Sequence, residues 1–571
     1  MPTPFTINLQ YDDKSVTPKS EKMTFFDEFY IDVSTEDIPL GQRVRLTIHP
    51  KQTIQLQSLA LEIPMTYAAS EKVFCNGYQS WSESKEYSPQ GQIPNLKWPA
   101  KSKWKYQGDY QNKKIKRGPG QLHSWSYTYI RRNNELAFFG SLNEHTGFTI
   151  FQHECNRGWL SIELDLENLQ LDHSYPAIDL VILEGKEKEV FDQYFQQMKA
   201  PELKAPPLTG WTSWQHYFTN ISEEIILKNL EAFAEKETSI DLFQIDDGYQ
   251  QAVGDWMKIT MGFPNGMAHI ANKIKAKGCK AGIWLAPFIC SASSDIFKNK
   301  SNWILKDASG QLVKAGYSKA WGGWYYALDF YNKEVQDYLS GVCITIYEKW
   351  QYDLIKLDFL YAVCLAPPPS KTSGQVMCEA MDFLRNIAGD KWLLGGGVPL
   401  GAAFGRVDYC RIGGDVHMSW ENKWLARFGL RERRSTLGSI QSTLGRWQLN
   451  GRAFHNDPNV FVLRAEKNKL TQTQQETLLL VNRLLGNLLS TSDYVGDYSP
   501  EQWCEYQEAM IVAKVNVQKV TQIHNEQFII QYATRSQNWQ AFINLGNQAT
   551  KINFQQQHIA LEANESIYLK C

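Results

Sequence analysis

The sequence predicts a multidomain chain with a central (β/α)8 TIM barrel, an N-terminal β-sandwich and a small C-terminal β domain. Three observations carry this expectation. At 571 residues the chain exceeds the roughly 250 to 300 over which one hydrophobic core usually grows, so a large domain with smaller companions is expected. Beyond about residue 210, strand-like and helix-like patterns alternate for about 250 residues, the usual extent of such a barrel. The flanks instead show short strands punctuated by turn signals.

In chain order, "RVRLTIHP", "IQLQSLALEIPM", "ELAFFGSL" and "GFTIFQHE" have the composition and turn spacing of sandwich strands and place that domain at 1–200. The proline-rich "APELKAPPLTG" at 200–210 ends the region as a linker. "GWTSW" opens the barrel. "SEEIILKNLEAFAEK" follows as a helix, with Ser222 at its N-cap and an apolar stripe at helical spacing. The further barrel strands are expected in "IDLFQIDDG", "KAGIWLAPF", "YYALDF", "DLIKLDFLY", "KWLLGGGVPL", "VDYCRIGGDV" and "FHNDPNVFVL", which with "GWTSW" make eight, and "EVQDYLSGVCITIYEKW" is an intervening helix. An open doubly wound sheet is disfavoured, since no G-x-G-x-x-G fingerprint follows the first strand. The barrel is expected over 201–490. The C-terminal β domain is expected over 491–571, in "AMIVAKVNVQKV", "EQFIIQYATR", "WQAFINLG" and "ESIYLKC".

Composition excludes several classes of function. The 59 basic and 61 acidic residues give a net charge of -2 without a basic stripe, which disfavours nucleic acid as a partner. No apolar run reaches the roughly 18 residues of a membrane span, and "MPTPFTINLQYDD" lacks the charged start and apolar stretch of a secretory signal. A cytoplasmic protein without membrane contact is the expectation. Ten cysteines occur with no CxxC pair and no zinc-like Cys/His spacing, so neither a disulfide frame nor a metal or other cofactor is expected. Nineteen Trp and 27 Tyr suit packing, and also stacking on the CH faces of sugars.

The chemistry gathers at the C-terminal ends of the expected strands, where barrels of this kind carry their active groups. In "LIKLDFLY", Lys356 and Asp358 interrupt an apolar run two residues apart, so alternation puts both on one face. A core ion pair would be the bland account. Asp246 and Asp247 follow the second strand, Trp284 the third, and Asp415 the seventh. Two carboxylates across an aromatic-walled pocket are the equipment for cleaving a glycosidic bond: one attacks, the other protonates. Lys356 is expected to keep Asp358 ionised. Gly413 and Gly414 free the chain before Asp415 to turn, and acid duty requires the pKa of Asp415 to be raised.

"GWTSWQHYF", "FQIDDGYQ", "GDW", "GIWLAPF", "IKLDFL", "RIGGDV" and "NDP", in this order, with "NGYQSW" at 76–81, resemble family 36 of the glycoside hydrolases, clan D. Its characterised members are mostly retaining α-galactosidases. The resemblance implies that Asp358 is the nucleophile and Asp415 the general acid/base. It assigns Asp246 and Asp247 to the sugar's 4- and 6-hydroxyls, Lys356 to the 3- and 4-hydroxyls, and Arg411 to the 2-hydroxyl. Trp284 and Trp214 would wall the pocket, and Trp81 would reach in from the sandwich. The implied substrate is a terminal α-galactoside of an oligosaccharide, with a homo-oligomer left open. The alternatives are a raffinose-synthase-type transferase on the same carboxylates and a non-catalytic sugar-binding protein. The chain departs from its relatives at Gly396, where they carry cysteine near the 2-hydroxyl. That change is read first as neutral, with water filling the gap and galactose still the substrate; the alternatives are a pocket enlarged for a bulkier 2-substituent, as in an α-N-acetylgalactosaminidase, and a different hexose, since Gln215 follows Trp214 where relatives can carry tyrosine.

Overall fold

The structure, a computed structural model, describes residues 4–570 except 19–22, 105–107, 109–111, 113, 167, 237, 511–514, 525, 536 and 555–556. Between Thr6 and Lys186 two antiparallel sheets form, one built on Thr6–Tyr11, Ile54–Pro64 and Trp159–Leu164, the other on Phe29–Ile38, Gly41–Pro50 and Tyr175–Lys186. Alternation fixes their faces: along Gly41–Pro50, residues Gln42, Val44, Leu46 and Ile48 are buried and the residues between them are less so. Leu9, Val44, Leu46, Leu61 and Phe151 fill the space between the sheets.

The barrel strands are β1 (Leu208–Thr212), β2 (Leu242–Ile245), β3 (Lys280–Leu285), β4 (Leu354–Leu357), β5 (Trp392–Gly395), β6 (Tyr409–Arg411), β7 (His455–Asp457) and β8 (Leu488–Thr491). All pair in parallel in the order β7-β6-β5-β4-β3-β2-β1-β8. Val460–Phe461, just beyond β7, pairs with β8, so the two edges meet and the sheet curls in the manner of a TIM barrel. Helices cover its outer face, and strands such as β4 are therefore buried along their whole length. Ser222 caps the helix Glu223–Glu235 by accepting from the Ile225 amide at 3.3 Å.

One expected barrel strand lies elsewhere. "YYALDF" contributes to Gly323–Ala327, which pairs antiparallel with Ile289–Ser291 and Lys314–Ser318 in a small sheet between β3 and β4. The missing strand is β8, "LLST", after the helix Gln472–Leu485. A short apolar run does not reveal whether its partners are parallel or antiparallel. The count shifts accordingly: Asp358 follows the fourth strand, Gly396 the fifth and Asp415 the sixth. At the C-terminal end, Ala509 and Met510 close a helix, Pro500–Met510. The "IVAK" that follows them lies outside the described residues, as does Cys571. The strands Asn516–His524, Gln527–Ala533, Asn538–Asn544 and Ser566–Lys570 form an antiparallel sheet. One apolar core runs from the sandwich, at Phe74, Tyr127 and Phe138, through Phe191 and Tyr194 into the barrel at Trp211 and Phe243. The sandwich is therefore fixed against the barrel and can lend it residues.

Candidate active site

The C-terminal ends of the barrel strands open on a cavity of about 380 Å³. Its walls include Trp81, Trp214, Asp246, Asp247, Trp284, Trp321, Lys356, Asp358 and Asp415. Strand register brings them together. Trp284 on β3 lies beside Lys356 on β4, and Leu357 lies beside Gly395 on β5, so Asp358 and Gly396 are neighbours one step further. Arg411 on β6 lies beside Asp457 on β7.

Lys356 and Asp246 form a buried ion pair at 2.8 Å. Gln244 donates to the same oxygen of Asp246 at 3.0 Å. Asp247 accepts from Gln250 Nε2 at 2.5 Å and from Trp321 Nε1 at 2.8 Å. Burial dominates its environment and pushes its carboxyl up to about 6. Asp358 accepts from Trp284 Nε1 at 3.0 Å and from its neighbour, the Phe359 amide, at 3.2 Å. Phe359 sits in the left-handed region, φ 54°, which turns the chain sharply as it leaves β4. Such backbone strain in a bulky residue persists only where packing enforces it, here against Trp81, Trp321 and Tyr325. Asp415, with 24% of its side chain accessible, accepts from Arg411 Nη2 at 3.0 Å and Trp214 Nε1 at 3.3 Å. Arg411 also faces Asp457 at 3.6 Å.

The two carboxyls are shifted in opposite directions. Burial raises Asp358 above its ordinary value, and the opposing pull of Lys356 and the Trp284 hydrogen bond does not cancel it. Burial also works to raise Asp415, but there the guanidinium of Arg411, then Lys356 and Arg434, outweigh it and the carboxyl is lowered. Two expectations are corrected. Lys356 pairs with Asp246 and does not hold Asp358 low. The carboxyl of Asp415 is lowered, where acid duty calls for the reverse.

Gly396 leaves no gap beside the cavity: a Cβ built on it would run into Asp358 Oδ1. The space freed by glycine is taken by the carboxylate, which overturns the enlarged-pocket expectation. Gln215 does not line the cavity and donates instead to Asn459 Oδ1 at 2.8 Å. Trp321 and Asp457 were missed in the sequence. Asp457 lies in "NDP" and could have been found from that motif; Trp321 sits in an irregular insertion and left no signal. Among the described residues no group of three or more His, Cys, Asp or Glu could hold a metal ion, and no helix is long and apolar enough to cross a membrane.

The melibiase family model matches residues 194–380, a stretch that holds Asp246, Asp247, Trp284, Lys356 and Asp358 and stops short of Arg411 and Asp415. An α-galactosidase of Escherichia coli is 27% identical over 168 residues, 28% of this chain and 22% of that protein. An α-xylosidase, XylQ, of Lactiplantibacillus pentosus is 27% identical over 209 residues, 34% of this chain and 26% of that protein. The matched stretches thus span about a quarter of these curated relatives. The structure of an α-galactosidase from Thermus thermophilus, solved with p-nitrophenyl α-D-galactopyranoside, superposes with a TM-score of 0.72 at 25% identity, over 93% of this chain and 99% of that one. The chain is thus similar to α-galactosidases of the glycoside hydrolases, by sequence across the segment that holds Asp358 and by architecture over nearly its whole length.

Proposed function

We propose that the protein hydrolyses terminal α-galactosides of oligosaccharides by double displacement with net retention. The observation that carries the reading is the convergence of Asp358 and Asp415 on one aromatic-walled cavity at the C-terminal ends of the strands. In the first step an oxygen of Asp358 bonds to the anomeric carbon as the glycosidic bond breaks, and Asp415 gives its proton to the departing oxygen. In the second, Asp415 takes a proton from water as that water bonds to the anomeric carbon and releases Asp358. Asp246, Asp247 and Lys356 hold the sugar hydroxyls, Arg411 takes the 2-hydroxyl, and Trp81, Trp214 and Trp284 wall the ring.

The lowered Asp415 fits this scheme once the origin of its shift is considered. Arg411 is the largest opposing influence on burial at Asp415. A sugar that recruits Arg411 to its 2-hydroxyl weakens that pair and excludes water, and both changes raise Asp415 toward its acid role. The opposite shifts of the two carboxyls, Asp358 raised and Asp415 lowered, favour a second reading in which the roles are exchanged, with Asp415 attacking and Asp358 protonating.

Hydrolysis of p-nitrophenyl α-galactoside followed by proton NMR tests the reading: the α-anomer of galactose is expected first. The β-anomer first would establish inversion and remove the nucleophile. Absence of turnover by the wild type, with binding of galactose intact, would favour a non-catalytic sugar-binding protein.

A further inference from the structure

We propose that Arg446 is a positioning residue that locks the Trp81 loop of the N-terminal sandwich to the barrel segment leading to Asp415. Arg446 follows the helix Thr436–Gly445, and its side chain is fully buried. Its Nε donates to Asn76 Oδ1 at 2.9 Å. Its Nη1 donates to the carbonyls of Ser80 at 2.8 Å and Ile412 at 2.9 Å, and its Nη2 to those of Gly77 at 3.3 Å and Gln79 at 3.1 Å. Four of the five bonds thus fall within residues 76–80, immediately before Trp81, and the fifth holds Ile412, three residues before Asp415.

All five acceptors are neutral, and among the described residues no carboxylate pairs with this cation. Burial pulls the guanidinium down to about 10, so it remains charged at neutral pH. A buried charge with no carboxylate bonded to it, Glu432 acting only through space, is tolerated only where its donors have fixed acceptors, which makes the geometry of both segments depend on this side chain. Lysine cannot substitute: it lacks the planar fork that reaches both sides at once. The loop has other attachments: the Ser80 amide donates to Val398 O at 2.8 Å, the Trp81 ring lies against Gly397, and just beyond Trp81 the Ser82 hydroxyl donates to Glu432 and the Glu83 amide donates to Arg431 O at 3.1 Å. These fix the loop to the segment after β5 and to residues 431–432, whereas Arg446 ties it to Ile412 directly after β6.

The kinetic consequence rests on reading this cavity as the catalytic site; the tie itself does not. Amide hydrogen exchange and kinetics on full-length Arg446→Lys decide it. Peptides covering 76–82 and 411–415 are expected to exchange at least tenfold faster, together, while peptides across 516–533 keep their rates. On p-nitrophenyl α-galactoside, kcat should fall and KM rise, each at least threefold. In a double-variant cycle with Trp81→Ala, the combined loss should be well below the product of the single losses. If Arg446→Lys does not fold, Asn76→Ala, which removes one acceptor and keeps the cation, should show the paired acceleration at about threefold. A folded variant with wild-type exchange in both segments, or acceleration of only one, overturns the proposal. A wild type without glycosidase activity would instead remove the functional reading, and the exchange result would still decide the role of Arg446.

Discussion

Asp358 and Asp415 face the same cavity, the first buried and the second partly accessible, and their surroundings shift their carboxyls in opposite directions. Around Asp358 the neighbours are an indole N–H, the strained Phe359 backbone and Gly396, while the nearest cation, Lys356, is engaged by Asp246. Around Asp415 the guanidinium of Arg411 makes direct contact. Burial alone therefore does not set the direction of a carboxyl's shift in this site. What decides is whether a cation is spent on it or on another acid. Substrate that draws Arg411 away would make the two environments more alike and let Asp415 hold the proton it must give.

The largest effect that could break the comparison comes from removing each carboxylate in turn and supplying azide. Asp358→Ala should lower kcat by at least about 10⁴-fold on every substrate, as loss of a nucleophile does, and azide should restore turnover as β-galactosyl azide. Asp415→Ala should cost about 10²- to 10⁴-fold on poor leaving groups and little in glycosylation by activated aryl galactosides, with azide giving the α-azide. NMR of the azide products reads the outcome. Exchanged anomers would exchange the two roles.

Gly396→Cys comes next. Its Cβ collides with the Asp358 carboxylate, and displacing a reacting group by about 1 Å costs on the order of 10²-fold in rate. The loss should appear in kcat, and the wild type should prefer the plain p-nitrophenyl galactoside to its 2-acetamido analogue. A folded Gly396→Cys enzyme with wild-type kcat would show that Asp358 has another resting place. Arg411→Gln follows, at about tenfold to a hundredfold in kcat/KM for a lost hydrogen bond to a charged group. It also carries a sign: without the guanidinium Asp415 rises, so the basic limb of the kcat/KM profile should move to higher pH. A limb that stays in place would mean that Asp415 does not govern it.

Much of this site was legible in the sequence because its parts sit on strands. Alternation alone put Lys356 and Asp358 on one face, and the barrel rule put Asp246, Asp247 and Asp415 at one end. What was not legible depended on partners distant in sequence. The choice of Lys356 for Asp246 over Asp358 is a matter of three-dimensional reach across β2 and β4. Trp321 belongs to an insertion whose antiparallel pairing mimics a barrel strand in pattern. The meaning of Gly396 reversed because a missing side chain reads as space in a sequence, whereas register places a carboxylate in that space.

The smallest effect tests the principle on a third carboxylate. Asp247 is buried, and no cation is among its hydrogen-bond partners, Gln250 and Trp321; burial carries it up to about 6. A carboxyl raised in the folded state favours folding fully below its unfolded value near 4, and that contribution is lost as pH rises through about 6. Above that window the folded protein bears the cost of a buried charge. Asp247→Asn mimics the protonated acid, keeping one acceptor and no charge, so it should escape the cost. The stability difference between variant and wild type should therefore grow by about 2 to 3 kcal/mol between pH 4 and pH 8, the equivalent of a shift of about two units. Thermal or denaturant unfolding at the two pH values measures it. A difference that stays constant across the range would show that Asp247 is ionised in the fold at both, with Lys356 serving it as well as Asp246, and the contrast between a carboxylate with a cation and one without would lose its third example.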